Sequence, residues 1–281
     1  MSQHSTRRLQ QYRAHSARMN DYYLGGSTNY EVDRAAADQV IQEFLTIGVM
    51  ARVNRAFMRR ATRLLAERGV RNYLDIGTGI PTSPNLHEVA QGIIAQARVV
   101  YVDNDPLVLT YVDALMDGTP QGETGHVEAD VNDPAALLRQ PTISKLLSYG
   151  EPVALSLIAL LHFIGDSCDP YEVVGELVAA LPPGSYLALT HFTADFAPEA
   201  WVAVEGIYRE GGTYLEVRNH AAVRKFFDGL ELEDPGVVVG HRWHAEGCRW
   251  HAAAGDPLLE RLLERLHDAD VSLYAGLGRK P

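Results

Sequence analysis

The stretch Tyr73-Leu-Asp-Ile-Gly-Thr-Gly-Ile-Pro81 combines a short apolar run with two closely spaced glycines. The apolar residues predict a buried strand, and the glycines predict a tight turn that a ligand can approach closely, because glycine has no Cβ. Asp75 places a carboxylate at the edge of this turn. We therefore predict a strand, a ligand-binding turn and a helix around this stretch.

The spacing of the glycines limits the kind of ligand. A dinucleotide-binding turn has the form G-x-G-x-x-G, but here Thr82 stands in the third position and Pro81 precedes it. A ligand with a nucleoside and an amino-acid part but no phosphate suits this turn better, and S-adenosylmethionine is such a ligand. The glycine pair alone is also compatible with a purely structural turn.

Composition and charge exclude several classes of protein. The chain has 281 residues and a net charge of −11, which disfavours electrostatic binding of nucleic acid. The polar N-terminal segment lacks the pattern of a secretory signal, and no apolar run approaches the roughly 20 residues that span a bilayer. We therefore expect a cytoplasmic protein that binds neither nucleic acid nor membrane, and we separately expect a monomer or homodimer.

The cysteines and histidines do not predict a metal site. Cys168 and Cys248 stand apart, which disfavours a disulfide scaffold and a zinc site built from thiolates. The group of His241, His244 and His251 near Cys248 fits no standard zinc spacing. We expect no metal.

From residue 71 onward, strand-like and helix-like segments alternate. The predicted strands cover residues 72–77, 98–102, 125–129, 152–158, 185–192, 236–241 and 271–277. The predicted helices cover residues 85–96, 106–116, 134–139, 170–181, 198–208, 220–227 and 257–267. Strands that are apolar on both faces and alternate with helices indicate an α/β fold, in which helices cover both faces of a mostly parallel sheet.

The segments outside this alternation predict an annex and a cover. Two helices, predicted at 31–46 and 49–68, precede the first strand and form an N-terminal helical annex or lid over residues 1–70. The main domain would then comprise residues 71–281. Within it, the insertion at about 193–235 is where a cover facing the substrate could lie.

Two glycines flanked by tyrosines follow the polar N-terminal segment. The pattern at residues 21–30 fits either the end of a helix or a lid in which Tyr22, Tyr23 or Tyr30 closes over a pocket. Both interpretations stay open on the sequence alone.

Acidic residues follow the predicted strands, where open α/β sheets bind their ligands. Asp103 ends the second strand and could accept hydrogen bonds from two ribose hydroxyls. Asp130 follows the third strand and could accept from an adenine amino group, while the Val131 N–H could serve a ring nitrogen. Either acid alone could merely cap a turn or helix, but acids at successive strand ends beyond a glycine turn favour binding.

Four motifs at the strand ends together resemble those of class I S-adenosylmethionine-dependent methyltransferases. They are Asp75-Ile-Gly-Thr-Gly79, Tyr101-Val-Asp-Asn-Asp-Pro106, Ala129-Asp-Val131 and Ala159-Leu-Leu-His-Phe163. Further segments, from Tyr22-Tyr-Leu-Gly-Gly26 to the ending Gly276-Leu-Gly-Arg-Lys-Pro281, resemble one family of these enzymes whose members mostly lack an assigned substrate. The resemblance extends from about Ser16 to the C-terminus.

The resemblance implies a fold and a set of contacts. The fold is Rossmann-like, with a seven-stranded sheet in the order 3-2-1-4-5-7-6 whose last strand along the chain is antiparallel. The implied contacts place the methionine part near Asp75, Gly77 and Gly79, the ribose at Asp103, and the adenine at Asp130 and Val131. The predicted cofactor-binding residues are Asp75, Gly77, Thr78, Gly79, Asp103, Asn104, Asp130, Val131, Ile158 and Ala159.

Methyl transfer depends mainly on aligning a nucleophile with the methyl group, and in some reactions on removing a proton. His162, after the fourth strand, is the candidate base, although a buried histidine bound to backbone is equally compatible with its position. His191, in the fifth strand, is a second candidate near the substrate. Arg55 could bind the methionine carboxylate of the cofactor or could lie on a solvated helix face.

The sequence thus predicts an S-adenosylmethionine-dependent methyltransferase that acts on a small molecule by in-line displacement. Two alternatives remain. The absence of an obvious acid–base pair also fits a sensor or partner-binding module that binds the cofactor without turnover. An NAD-dependent oxidoreductase is disfavoured by Pro81 and by the missing third glycine.

Overall fold

The computed structural model describes residues 12–105, 107–108, 110–111, 118–244 and 265–281. Most of the predicted helices at 106–116 and 257–267, together with Cys248 and His251, therefore lie outside the described residues. A helix with the length and apolar character of a membrane span is absent from the described ranges.

An eight-stranded sheet runs through the described part of the chain. Its strands are β1 (Asn72–Ile76), β2 (Arg98–Asp103), β3 (Glu123–Glu128), β4 (Val153–Leu157), β5 (Tyr186–Phe192), β6 (Glu231–Leu232), β7 (Val238–Val239) and β8 (Leu273–Arg279). The order is β3-β2-β1-β4-β5-β8-β6, and β7 also pairs with β8. Strands β1 to β5 are parallel, whereas β8 is antiparallel to β5. This arrangement confirms the predicted class I fold.

The edge of the sheet beyond β8 differs from the prediction. Instead of one strand at 236–241, two short strands, β6 and β7, pair with opposite ends of β8. Pro235 and Gly236 lie between them, and Gly236 has a φ of +84°. Proline lacks the N–H that a sheet ladder needs, and a positive φ turns the chain, so the edge strand is divided in two.

Helices cover the sheet and extend beyond its carboxyl edge. They are α1 (Ser16–Tyr23), α2 (Glu31–Glu43), α3 (Ile47–Glu67), α4 (Leu86–Gln91), α5 (Pro134–Leu138), α6 (Pro141–Ser148), α7 (Pro170–Ala180), α8 (Pro198–Glu210), α9 (His220–Lys225) and α10 (Asp268–Val271). Asn85 and Glu88 form the predicted capping box of α4. Helix α6 was not predicted, and α4 ends at Gln91, earlier than expected, with Gly92 as its C-cap.

Helix α3 packs directly on the sheet. It contacts β5 and β8, and its Phe57 meets Trp243 edge to face with the ring centroids 4.9 Å apart. Gly69 follows its last turn with a φ of +89°, the left-handed conformation common after helix ends. Helix α3 therefore shares the core of the sheet, and the helices before it lie further out.

Two segments far apart in sequence meet above the sheet. Helix α8, inside the predicted cover, packs against α2, and Trp201 contacts Phe44 with a centroid distance of 5.4 Å. Trp201 also contacts Phe192 at the end of β5, at 5.3 Å. Helices α2 and α8 thus form one packed layer beside the carboxyl ends of the strands.

A buried arginine connects this layer to the sheet. Arg18 of α1 is only 2% exposed. Its Nε donates to Asp33 in α2 at 2.8 Å, and its Nη1 lies 3.4 Å from Asp105, just beyond β2. Removing one member of a buried ion pair leaves the other charge desolvated without compensation, which costs more than the pair itself contributes.

We expect Arg18→Met to lower the free energy of unfolding by about 3 kcal/mol or more, because Asp33 and Asp105 would lose their cationic partner. Urea denaturation followed by circular dichroism measures the change. The matched control is Arg279→Met, which removes a surface pair with Glu231 and should cost about 1 kcal/mol or less. Equal losses in the two variants would contradict this account of Arg18.

Candidate active site

A cavity of about 280 Å³ opens at the carboxyl ends of β1, β2 and β4. Its floor consists of residues 75–80, 101–104 and 158–160, and helices α1, α3 and α8 contribute side chains to its other walls. This is the edge of the sheet at which a parallel α/β fold is expected to bind its ligand. The volume lies near the lower end of the range for small-molecule sites, about 300 to 1,000 Å³.

The glycine turn has a backbone conformation that favours glycine at two positions. Gly77 and Gly79 have φ values of +76° and +65°. A Cβ on Gly77 would lie 2.8 Å from the Cδ1 atom of Leu160, which is too close. The N–H groups of Gly77 and Thr78 donate to the carbonyl of Val102 at 2.8 and 3.2 Å, so the turn is attached to the end of β2.

Asp103 joins the turn to the second strand. One carboxylate oxygen accepts the N–H of Gly79 and the other accepts the N–H of Asp105, both at 2.9 Å. The side chain is 7% exposed, and this burial raises the pKa of the carboxyl although the two backbone donors oppose the effect. Each oxygen retains capacity to accept another hydrogen bond at the cavity.

Asp75 is half-buried in the same cavity. Burial raises the pKa of its carboxyl to about 6, and a hydrogen bond from Ser156 and the charge of Arg55 partly offset this increase. The site therefore contains two acids, Asp75 and Asp103, in an environment that disfavours negative charge. A ligand that carries a positive charge or donates hydroxyl groups would stabilise the charged form of both carboxylates.

Arg55 lines the cavity, but its guanidinium supports the neighbouring loop. Its Nη2 donates to the carbonyls of Thr82 and Pro84. Burial lowers its pKa to about 10, so it stays protonated at neutral pH. These bonds occupy Nη2, and the side chain therefore fixes the 82–84 loop instead of extending freely toward a carboxylate.

Of the two residues predicted to bind the adenine, only Val131 lines the cavity. Ala129 and Val131 line the cavity, as do Asn104, Ile158 and Ala159. Asp130 does not, because its exposed carboxylate accepts the backbone N–H and the side-chain amide of Asn132, both at 2.9 Å. To meet a ligand, Asp130 would have to exchange these bonds.

Two tyrosines predicted as lid residues lie outside the cavity lining. Tyr22 directs its hydroxyl to Asp38 at 3.0 Å, and Tyr30 precedes α2 with its ring 5.4 Å from the guanidinium of Arg18. Tyr23, the third candidate, lines the cavity. Adjacent residues of a helix point about 100° apart, and the sequence did not reveal which tyrosine of α1 faces inward.

His191 was also misplaced by the prediction. Residues alternate between the faces of β5, so Phe192 faces the cavity and His191 points to the other side. There its Nε2 lies 3.0 Å from Nη1 of Arg218 and its Nδ1 lies 2.7 Å from the carbonyl of Phe192. Burial lowers the pKa of His191 to about 3, so it is a neutral core residue.

His162 is the one histidine of the predicted pair that reaches the cavity. It is fully buried, and its ring stacks on Phe192 with the centroids 3.7 Å apart. Its Nδ1 accepts the Phe192 N–H at a long 3.5 Å, and its Nε2 has no hydrogen-bond partner within the described structure. Burial holds its pKa well below the usual range.

These contacts change the role predicted for His162. A neutral imidazole carries one hydrogen, and a ring whose Nδ1 accepts a hydrogen bond carries it on Nε2. Nε2 then carries the ring hydrogen and cannot accept a proton. The geometry therefore favours a hydrogen-bond donor over the base expected from the sequence.

The pKa of Asp75 predicts a pH dependence of stability. Between about pH 4 and 6, the folded protein retains a proton that the unfolded chain has lost, so stability falls as pH rises through this window. Asp75→Asn should remove this fall and be more stable than wild type at pH 7, by about 1–3 kcal/mol. Thermal unfolding of both proteins from pH 4 to 7.5 measures this difference in stability.

The control for this prediction is Asp130→Asn, which neutralises an exposed carboxylate outside the cavity lining. It should not alter the pH profile in this way. If the difference in stability between Asp75→Asn and wild type were constant from pH 4 to 7.5, the raised pKa of Asp75 would be contradicted.

Comparison with known proteins identifies the family. The family model for S-adenosyl methyltransferases matches residues 2–281. A search of curated proteins gives no match. A DUF574 family protein from Streptomyces avermitilis shares 44% sequence identity over 98% of this chain and 100% of its own, with a TM-score of 0.89.

Two further solved structures are similar. A proposed methyltransferase from Thermobifida fusca is 34% identical over 99% of both chains, with a TM-score of 0.84. The plantazolicin methyltransferase BpumL, solved with S-adenosylhomocysteine, is 12% identical over 94% of this chain and 95% of its own, with a TM-score of 0.50. The last similarity concerns the fold alone.

These matches confirm the resemblance found in the strand-end motifs and decide between the alternatives left by the glycine turn. The methyl donor is S-adenosylmethionine. The chain belongs to the S-adenosyl methyltransferase family and is an S-adenosylmethionine-dependent methyltransferase.

Proposed function

We propose that the protein methylates a small molecule by direct in-line displacement. The observation that carries this proposal is that one cavity joins two different environments. The glycine turn and the buried carboxylate of Asp103 form one end, and His162 with Phe192 forms the other. The first end suits the nucleoside of the donor, and the second suits a compact acceptor.

The residues at the first end fit the donor. Asp103 has two oxygens oriented by backbone N–H groups, and their remaining lone pairs suit the two ribose hydroxyls. Gly77 and Gly79 would keep the backbone clear for the methionine part, and the Asp75 carboxylate would attract its ammonium group. We assign the adenine to the wall near Val131, with Asp130 turning inward from Asn132.

When bound, S-adenosylmethionine would supply an electrophilic methyl group on its sulfonium to an acceptor aligned with it. The side chains therefore need only align the acceptor and exclude water. His162 is completely buried, and Tyr23 and Tyr208 reach the cavity from α1 and α8. An enclosed site of this kind holds reactants in a restricted orientation.

The enclosed cavity also limits the size of the acceptor. Side chains from α1, α3 and α8 surround the region in front of His162. A folded macromolecule could not bring its surface to a fully buried ring behind these helices, whereas a small molecule could. The net charge of −11 likewise disfavours a nucleic acid as acceptor.

We expect Asp103→Ala to weaken binding of S-adenosylhomocysteine by roughly tenfold to a hundredfold, because hydrogen bonds to a charged group contribute about 1.5–3 kcal/mol. Isothermal titration calorimetry measures the affinity. Tyr22→Phe is the matched control, since the Tyr22 hydroxyl contacts Asp38 away from the cavity, and its affinity should equal that of wild type. Unchanged affinity in Asp103→Ala would refute the ribose assignment.

A further inference from the structure

The end of the cavity opposite Asp103 has a distinct composition. In sheet order, Asp103 ends β2, whereas His162 follows β4 and Phe192 ends β5, so the acceptor end lies two to three strands away. We call its lining the acceptor wall, and it consists of Tyr23, Met50, Asn54, His162, Phe163, Phe192 and Tyr208. Among these residues there is no aspartate, glutamate, lysine or arginine.

The acceptor wall is largely aromatic. The rings of Phe163 and Tyr208 lie 5.9 Å apart, and His162 contacts both Phe163 and Phe192, at 4.4 and 3.7 Å. Burial raises the pKa of Tyr208 to about 12, so its hydroxyl remains protonated at neutral pH. Flat aromatic surfaces and a low polarity favour a planar, largely apolar ligand.

Two polar groups on the wall are oriented as donors. The Nε2–H group of His162 is buried and has no hydrogen-bond partner among the described residues. The Ala159 N–H donates to the Thr190 hydroxyl at 2.8 Å, and this hydroxyl donates onward to Oδ1 of Asn54 at 2.7 Å. With its oxygen held in this way, Asn54 turns its amide –NH2 away from Thr190, and this group has no hydrogen bond to a described residue.

The wall thus has donors for an oxygen but no group that can accept a proton. A buried donor without a partner costs about 1–3 kcal/mol, which a ligand oxygen would recover. A cationic amine would be desolvated there without a counter-charge and would face N–H groups. A neutral acceptor that must lose its proton would find no base on this wall.

We propose that the methyl acceptor is an aromatic compound with an acidic hydroxyl, a phenol or enol, which binds as the oxyanion to the N–H groups of His162 and Asn54. This acceptor class presupposes the methyl transfer proposed above. The hydroxyl proton is released to water before transfer. An oxygen–methyl bond then forms as the sulfur–methyl bond breaks, its electron pair stays on sulfur, and the products are an aryl or enol methyl ether and a neutral thioether.

The test uses the whole protein saturated with S-adenosylhomocysteine and three probes that share one ring. They are 4-nitrophenol, nitrobenzene and 4-nitrobenzylamine. Calorimetry should show 4-nitrophenol binding at least about tenfold more tightly than nitrobenzene, because only the phenol offers an oxyanion to the donors. The amine, protonated at neutral pH, should show no measurable binding.

Substitutions at His162 then separate hydrogen bonding from packing. The ionisation of bound 4-nitrophenol can be followed by its absorbance, and its apparent pKa should be lower in wild type than in His162→Phe. His162→Gln retains an N–H donor and should keep most of the wild-type pKa. Asn54→Leu removes the second donor and should raise the pKa independently, which provides a test if His162→Phe fails to fold.

Three results would overturn the proposed acceptor class: equal affinity for the amine and the phenol, an unaltered pKa of bound 4-nitrophenol in both His162→Phe and Asn54→Leu, or no binding of any probe at millimolar concentration while S-adenosylhomocysteine still binds. Failure of wild type to bind S-adenosylhomocysteine would instead contradict the donor site itself. The titration with S-adenosylhomocysteine therefore precedes the probes.

Discussion

The buried carboxylate at the end of β2 is the interaction on which the site depends. Asp103 accepts N–H groups from two different loops, those of Gly79 and Asp105, and so holds the glycine turn against the second strand. The two positive-φ residues of this turn are glycines, which adopt that conformation readily, and the two hydrogen bonds fix the turn in place. Asp105 in turn contacts Arg18, so the same strand end also positions the first helix. The end of β2 therefore positions both the floor and one wall of the cavity.

The parts of the site that could be predicted were those encoded by neighbouring residues. A glycine pair after an apolar run and an acid at the next strand end are local patterns, and both Gly77 and Asp103 line the cavity. The alternation of strands and helices, with the resemblance to class I methyltransferases, was likewise sufficient for the strand order. Such local patterns can predict a site because the carboxyl ends of the strands in a parallel sheet lie at one edge.

What the sequence could not determine was orientation. The choice between Tyr22 and Tyr23 depends on the rotation of a short helix, and the inward direction of Phe192 instead of His191 depends on the face of β5. The location of the hydrogen on His162 depends on a backbone N–H thirty positions away in the chain. These orientations depend on contacts between residues far apart in the chain, and no local sequence pattern indicates them.

The position of Arg18 has a consequence for how the molecule responds to ionic strength. Its ion pairs with Asp33 and Asp105 are shielded from solvent, and mobile ions screen buried pairs far less than exposed ones such as Lys145 with Glu123. The attachment of the first helix beside the cavity is therefore insensitive to added electrolyte. The shape of the binding chamber should be the same in dilute buffer as in concentrated salt.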